Sequence, residues 1–264
     1  MLNHKKKNFI FHIPHSSTLI PNELRGQFLL SNDDLQKEID RMTDWYTSEL
    51  FSKASEVFGF ALEFPLSRLV VDPERFDNDK EEPMSSVGMG VIYSNTSSGE
   101  QLRDASSLTK ENRAFLLERY YYPHHQSLEH AVEAQLNRFK KILIIDCHSF
   151  PEKSLPYEID KSSNRPEICI GTDKFHTPEY LKNELNNKFM DLGYKTKINS
   201  PFAGSIVPMK FYKKNENVHS IMIEIRRDLY INEITTKKNK NFNNVQNDLY
   251  IILSGLFERY YDEL

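Results

Sequence analysis

An α/β fold, in three αβα layers around a mainly parallel mixed sheet, is what this sequence predicts. Three observations point there: short apolar runs rich in β-formers, helical periodicity in the stretches between them, and polar residues gathered where the runs stop. Continuous apolar runs suit strands covered on both faces, which a parallel sheet with helices on each side provides. Its 264 residues fit one large domain, 1–264, able to bury a sizeable core.

Residues 8–13 (NFIFHI) read as a buried first strand, stopped by Pro14 and leading into a loop that carries His15. Residues 31–58 read as one helix, capped by Ser31 or Asn32, with Leu35, Ile39, Met42, Tyr46, Leu50 and Val57 as apolar positions. Asp44 falls inside that stretch. Residues 68–71 (RLVV) predict a short strand before Asp72 and Pro73, and 77–99 a turn-rich segment suited to a lid or specificity insert. A long helical pattern covers 110–139, which Pro123 must start, kink or interrupt. Strands follow at 141–146 (KILIID), 168–171 (ICIG) and 220–225 (SIMIEI), with helices at 178–193 and 241–261. Ligands of such sheets bind at strand carboxyl ends, where this reading puts His15, Asp72, His148 and Glu224.

Net charge is −4 with Lys and Arg dispersed, so no basic face for nucleic acid is expected. The two cysteines, Cys147 and Cys169, form no CxxC pair, which argues against a disulfide framework or a thiolate zinc site and for a reducing compartment. The opening MLNHKKKNFIFHIPHSS is too broken for a signal peptide or a membrane span. A cytoplasmic protein with no membrane partner is the expectation; the oligomeric state is left open.

Polar residues end the apolar run at Asp146-Cys147-His148-Ser149, and a neutral imidazole there can ligate zinc while Asp146 orients it. The plain alternative is a histidine hydrogen-bonded at a strand end. Glu224 is embedded in an apolar strand, where a carboxylate must be paired, metal-bound or protonated. It suits a general base, or else a salt bridge to Arg226 or Arg227. Arg68, Asp72 and Arg75 offer guanidinium forks for a carboxylate or an oxyanion. His124 and His125 are neighbours on a helix and cannot both face one site. A serine nucleophile at Ser16, Ser149 or Ser205 is conceivable beside His148, but the chain has no GxSxG elbow.

The ordered set Pro14-His15-Ser16, Thr43-Asp44-Trp45, Arg68 with Asp72 and Arg75, Gly90-Val91-Ile92, Tyr122-Pro123-His124-His125, Asp146-Cys147-His148-Ser149, Pro201-Phe202-Ala203-Gly204 and Glu224-Ile225-Arg226 resembles the N-formylglutamate amidohydrolase family, which is similar in fold to the zinc carboxypeptidases. The resemblance covers most of the chain. It implies hydrolysis of N-formyl-L-glutamate or another N-acyl amino acid, with one Zn²⁺ per chain held by His15 and His148. Carboxypeptidases carry a Glu three residues after the first His; here that position is Thr18, so Asp44 is taken as third ligand, with His125 as the alternative. Glu224 matches the base that activates zinc-bound water, Arg75 stands with it as a catalytic residue, and Arg68, Asp72, Arg226 and Gly204 are assigned to substrate binding. Two departures bear on the substrate: Glu74 stands where the family has Asn, and no cation follows Gly204 closely, both of which disfavour a diacid. Other readings are a deacylase or carboxypeptidase-like activity on the same scaffold, or a silent carboxylate-binding module without metal.

Overall fold

The computed structural model describes residues 8–158 and 160–262; the basic run before residue 8 lies outside them. A six-stranded sheet is built from β1 (Phe9–Ile13), β2 (Gly59–Glu63), β3 (Ile142–Phe150), β4 (Ile168–Thr172), β5 (Thr196–Ile198) and β6 (Val218–Arg226), in the order β2-β1-β3-β6-β4-β5. All neighbouring pairs are parallel except β4 and β6. Helices α1 (Asn32–Met42), α2 (Thr47–Phe58), α3 (Lys110–Leu116), α4 (Tyr122–Phe139), α5 (Glu179–Asp191) and α6 (Phe242–Asp262) complete the layers, with a small hairpin of β7 (Ile231–Asn232) and β8 (Lys237–Lys238).

Period-two alternation decides what each face of the sheet carries. Phe9, Phe11 and Ile13, Leu143, Ile145 and Cys147, and Ile221, Ile223 and Ile225 pack with residues of α2, α5 and α6 in the main core. Fully burying each large apolar side chain contributes about 1.5–3 kcal/mol. On the opposite face Ile10, Ile142, Ile144 and Val218 meet Leu128 and Val132 of α4. The same alternation puts His12, Asp146, His148 and Glu224 on this α4 face. Register aligns them in pairs, His12 beside Asp146 and His148 beside Glu224. The site thus grows from the continuation of two apolar strands.

Several elements differ from the sequence expectation. The helix expected over 31–58 is two helices, because residues 43–46 leave helical geometry and Tyr46 adopts a left-handed φ of 61°. Residues 68–71 form a turn closed by Val70 N–H donating to Ser67 O, and their burial, which read as a strand, is spent on packing against the loops. The strand of this region is β2, whose first residue is glycine because a Cβ on Gly59 would lie 1.9 Å from the Phe9 carbonyl oxygen. Pro123 is accommodated by a π-helical segment, Leu117–Tyr121, between α3 and α4. Finally, β3 runs on to Phe150, so His148 is a strand residue and not the start of a loop.

Arg103 holds together the loops that carry Arg68, Asp72 and Arg75. Fully buried over the Phe28 ring, it donates to the carbonyls of Leu69 (2.7 Å), Val70 (2.8 Å) and Tyr93 (3.0 Å) and to Gln27 Oε1 (2.7 Å). Arg103→Met removes this donor from the carbonyls of Leu69, Val70 and Tyr93, each a penalty of about 1–3 kcal/mol, while Gln27 Oε1 keeps the Asn112 amide. A loss of roughly 3 kcal/mol or more is expected as a lower urea midpoint; an unchanged midpoint would show that the loops hold without it.

Candidate metal centre

The break between α1 and α2 delivers Asp44. Its backbone N–H donates to the His15 carbonyl (2.9 Å), tying the break to the loop after β1, and Tyr230 Oη donates to the Trp45 carbonyl (2.8 Å). These contacts hold Tyr46 in a conformation that costs a non-glycine residue about 1–3 kcal/mol. The result is a carboxylate facing two histidines. Asp44 Oδ2 lies 3.2 Å from His148 Nδ1 and 3.7 Å from His15 Nδ1, and the two rings are 5.1 Å apart. One ligand-type atom from each of these three buried residues falls within 4.8 Å of the others.

Each imidazole is anchored from behind by a carboxylate. His15 Nε2 lies 2.8 Å from Asp72 Oδ1, and His148 Nε2 lies 3.1 Å from Asp146 Oδ1. Such partners orient ligand rings and fix their tautomers. Asp72 is in turn gripped by Arg68, whose Nη2 donates to Oδ2 at 2.7 Å, and by a short hydrogen bond from Tyr93 Oη. The second oxygen of Asp44 accepts from Arg227 Nη2 at 2.9 Å, while Arg227 Nη1 donates to the Arg41 carbonyl at 2.6 Å.

Electrostatics follow the contacts. Against the burial penalty, His148 and His15 hold the Asp44 carboxyl below the usual range, and Arg68 and His15 do the same for Asp72. Burial opposes the charged ring of His148, yet Asp146 and Asp44 hold its pKa well above the ordinary value. Glu224 behaves in the opposite way: burial pushes its carboxyl up to about 8, with His148 as the main opposing influence. Among the described residues, His15 Nδ1 and Glu224 Oε2 are buried without a hydrogen-bond partner. Two histidine nitrogens, a carboxylate oxygen and an unpartnered carboxyl beside them fit a divalent cation, which would replace the proton between His148 and Asp44.

A cavity of about 610 Å³ opens over these groups; His15, Asp44, Arg68, Arg75, His148, Gly204, Glu224 and Arg227 line it. Arg75 is 21% exposed, its Nε lies 3.7 Å from Asp72 Oδ2, and among the described residues that nitrogen has no hydrogen-bond partner. Gly204 takes a left-handed φ of 95°, and Gly171 of β4 passes so close beneath that a Cβ there would meet the Gly204 carbonyl at 2.3 Å.

Three residues assigned from sequence lie elsewhere. Asp72 is fully buried outside the cavity lining, and its oxygens are taken by His15, Arg68 and Tyr93, so it anchors the site and does not meet substrate. Arg226 Nε donates to Asp228 Oδ1 (2.7 Å) and its Nη1 to the Arg165 carbonyl (3.0 Å), outside the cavity. The next residue, Arg227, is the one that reaches the centre. His125 donates to the Pro73 carbonyl (3.0 Å) and lies against Tyr121 with the rings tilted by 39°, apart from the metal-type cluster. Among the described residues neither Ser16, Ser149 nor Ser205 hydrogen-bonds a histidine; Ser149 Oγ accepts from Arg227 and Ser205 pairs with Ser220. Sequence reading gave Arg227 only as a possible salt-bridge partner of Glu224 and missed Tyr93 and His12. His12 alone had a visible signal, a polar residue in an apolar strand.

The sequence model of the N-formylglutamate amidohydrolase family matches residues 7–231. The chain belongs to that family. It is 23% identical over 227 residues to an N-formylglutamate deformylase of Pseudomonas putida, covering 84% of this chain and 80% of that one. Identity to an N-formylglutamate deformylase of Pseudomonas aeruginosa is 25% over 195 residues, 72% of this chain and 71% of the other. Its fold matches that of the N-formylglutamate amidohydrolase of Ralstonia eutropha JMP134 with a TM-score of 0.85 over 99% of this chain and 97% of that chain, at 23% identity. Three layers around a mainly parallel mixed sheet are therefore the family member's fold as well. Among the described residues no helix is long and apolar enough to cross a membrane.

A pH prediction follows from Asp72. Its depressed pKa means the folded state binds fewer protons than the unfolded one near the ordinary value of about 3.9. The stability this contributes is present above that value and is lost as pH falls through the folded pKa. In metal-stripped protein, Asp72→Asn should flatten the drop in urea midpoint between about pH 6 and about pH 3. An acid limb as steep as the wild type's would remove Asp72 from this role.

Proposed function

We propose that this chain is a zinc-dependent amidohydrolase of the cytoplasm that cleaves the formyl C–N bond of N-formyl-L-glutamate or the acyl C–N bond of another N-acyl amino acid. The supporting observation is the convergence of His15 Nδ1, His148 Nδ1 and Asp44 Oδ2 on the cavity floor, with their outer nitrogens anchored and Glu224 beside them. His15, Asp44 and His148 would hold the ion, the two-histidine, one-carboxylate set also used by zinc carboxypeptidases. A bound zinc supplies a water of lowered pKa and polarises the amide carbonyl.

The remaining roles belong to the chain's own side chains. Glu224 receives a proton from the attacking water and returns it to the departing amine; it lies across the strand pair from His148 with Oε2 unpartnered, and the charge of a bound cation would offset the burial that raises its pKa, so that it starts ionised. The three arginines divide by what they already bind. Arg68 is committed to Asp72 and Tyr93, and Arg227 to Asp44 and backbone carbonyls. Arg75 remains open to the cavity, and it clamps the substrate carboxylate. Glu74, which in the sequence disfavoured a diacid, turns toward His12 at 3.1 Å, so its charge is met away from Arg75. That contact answers the objection from Glu74 alone; no cation follows Gly204 closely, so another N-acyl amino acid stands beside N-formylglutamate as substrate.

The deciding experiment assays formate or amine release from N-formylglutamate, N-acetylglutamate and N-formylmethionine on protein of measured metal content. Release that tracks zinc supports the reading; zinc-loaded protein inert on all three would end it. Glu224→Gln should lower kcat by about 10²–10⁴-fold with zinc retained. Arg75→Met should raise KM for N-formylglutamate by about 10–100-fold with a smaller effect on kcat, the loss of one charge-assisted contact. A kcat effect without a KM effect would move Arg75 from the clamp to the reacting carbonyl.

A further inference from the structure

The α4 face of the sheet carries a second polar cluster that the hydrolytic reading leaves unused. His12 and Asp146 are fully buried, and His12 does not line the cavity. His12 Nδ1 lies 3.0 Å from Asp146 Oδ1 and 3.1 Å from Glu74 Oε1, while its Nε2 lies 2.8 Å from His124 Nε2. Two carboxylate oxygens facing one ring nitrogen would repel a lone pair, so Nδ1 carries a proton and donates it. Of two facing Nε2 atoms one must donate, and burial leaves His124 a neutral acceptor with a pKa lowered to about 2. Burial acts against His12 too, but Asp146 and Glu74 hold it up to about 9.

The same Asp146 Oδ1 that accepts from His12 also accepts from His148 Nε2, at 3.1 Å. Asp146 Oδ2 takes the Ile206 N–H at 3.1 Å. With both oxygens occupied, the carboxylate has no freedom to rotate, and the orientation of His148 is inherited from it. The line runs His124, His12, Asp146, His148, Asp44, and every member is buried. Parallel register places three of them: His12 and Asp146 are partners on adjacent strands, and His148 is the next residue on the same face.

We propose that His12 is a positioning residue of the metal centre: by holding Asp146 it fixes the tautomer and ring orientation of His148, and His124 holds His12 in turn. This rests on the metal-hydrolase reading above. The role differs from a structural one because it predicts a loss of metal affinity that follows the hydrogen-bond donor and not the volume of the side chain.

The test compares wild type, His12→Phe, which keeps the bulk without a donor, and His12→Asn, which keeps an N–H near the position of Nδ1. Folding is checked by circular dichroism, zinc stoichiometry by plasma mass spectrometry, and Kd by competition with a chromogenic chelator. The expected result is one zinc per wild-type chain, an affinity weaker by about 10–100-fold in His12→Phe, and recovery of most of that loss in His12→Asn. Should His12→Phe fail to fold, nitrogen-15 imidazole spectra of zinc-loaded wild type and His12→Asn are expected to show His148 protonated at Nε2 alone. His148 protonated at Nδ1, unchanged affinity in His12→Phe, or equal weakening in both variants would each overturn the proposal. So would two zinc ions per wild-type chain with one lost in His12→Phe, which would make His12 a ligand. Wild type that takes up no zinc would overturn the hydrolase reading along with this one.

Discussion

Asp44, Asp72 and Asp146 carry almost no exposed surface, and an ionised carboxylate so placed costs several kcal/mol unless it is met by cations and donors. The surroundings of the centre can be read as the set of partners these three acids require. Asp72 takes Arg68, Tyr93 and His15; Asp146 takes His12, His148 and the Ile206 N–H; Asp44 takes His148 and Arg227 and faces His15. Those partners come from β1 and the loop after it, from β3, from the turn after β6, and from the loops over the sheet. Positioning the acids is therefore the same problem as assembling the fold.

Glu224 stands apart from that set. It is buried too, though less completely, and has fewer partners, and burial raises its pKa while theirs fall. Carboxyls pushed in opposite directions within one cavity are a usual mark of divided labour between holding charge and exchanging protons. The contrast arises from position alone: Glu224 lies across the strand pair from His148, and its Oε2 finds no donor.

The strands that lead to His148 and Glu224 were legible because continuous apolar runs are conspicuous, although the first reads as ending at Asp146 where polar residues begin, and β3 runs on to Phe150. Helix periodicity was legible too, but it hid the break at residues 43–46, since Tyr46 keeps the apolar spacing while its backbone leaves the helix. The RLVV run at 68–71 has the composition of a strand and the hydrogen bonds of a turn, and short apolar runs do not distinguish these. The role of Arg227 at the centre was out of reach because that residue lies just past the strand, in a short 3₁₀ turn, where alternation no longer says which of two neighbouring arginines points inward. His12 was overlooked for the reverse reason: its strand was read as apolar throughout, though its parity with Asp146 follows once the two strands are known to pair.

The order of strands in the sheet carries a consequence for biosynthesis. β6, which supplies Glu224 and leads into Arg227, is the strand between β3 and β4, although it is the last of the six in the chain. On a ribosome, β1, β2 and β3 can associate while β4 and β5 can pair only with each other until β6 emerges. The nascent chain therefore exposes an unpaired edge on β3, with its imidazole already in place, through the synthesis of some seventy residues between β3 and β6. Chaperone capture of that edge, or its premature pairing with another chain, is a hazard this topology builds into every round of translation.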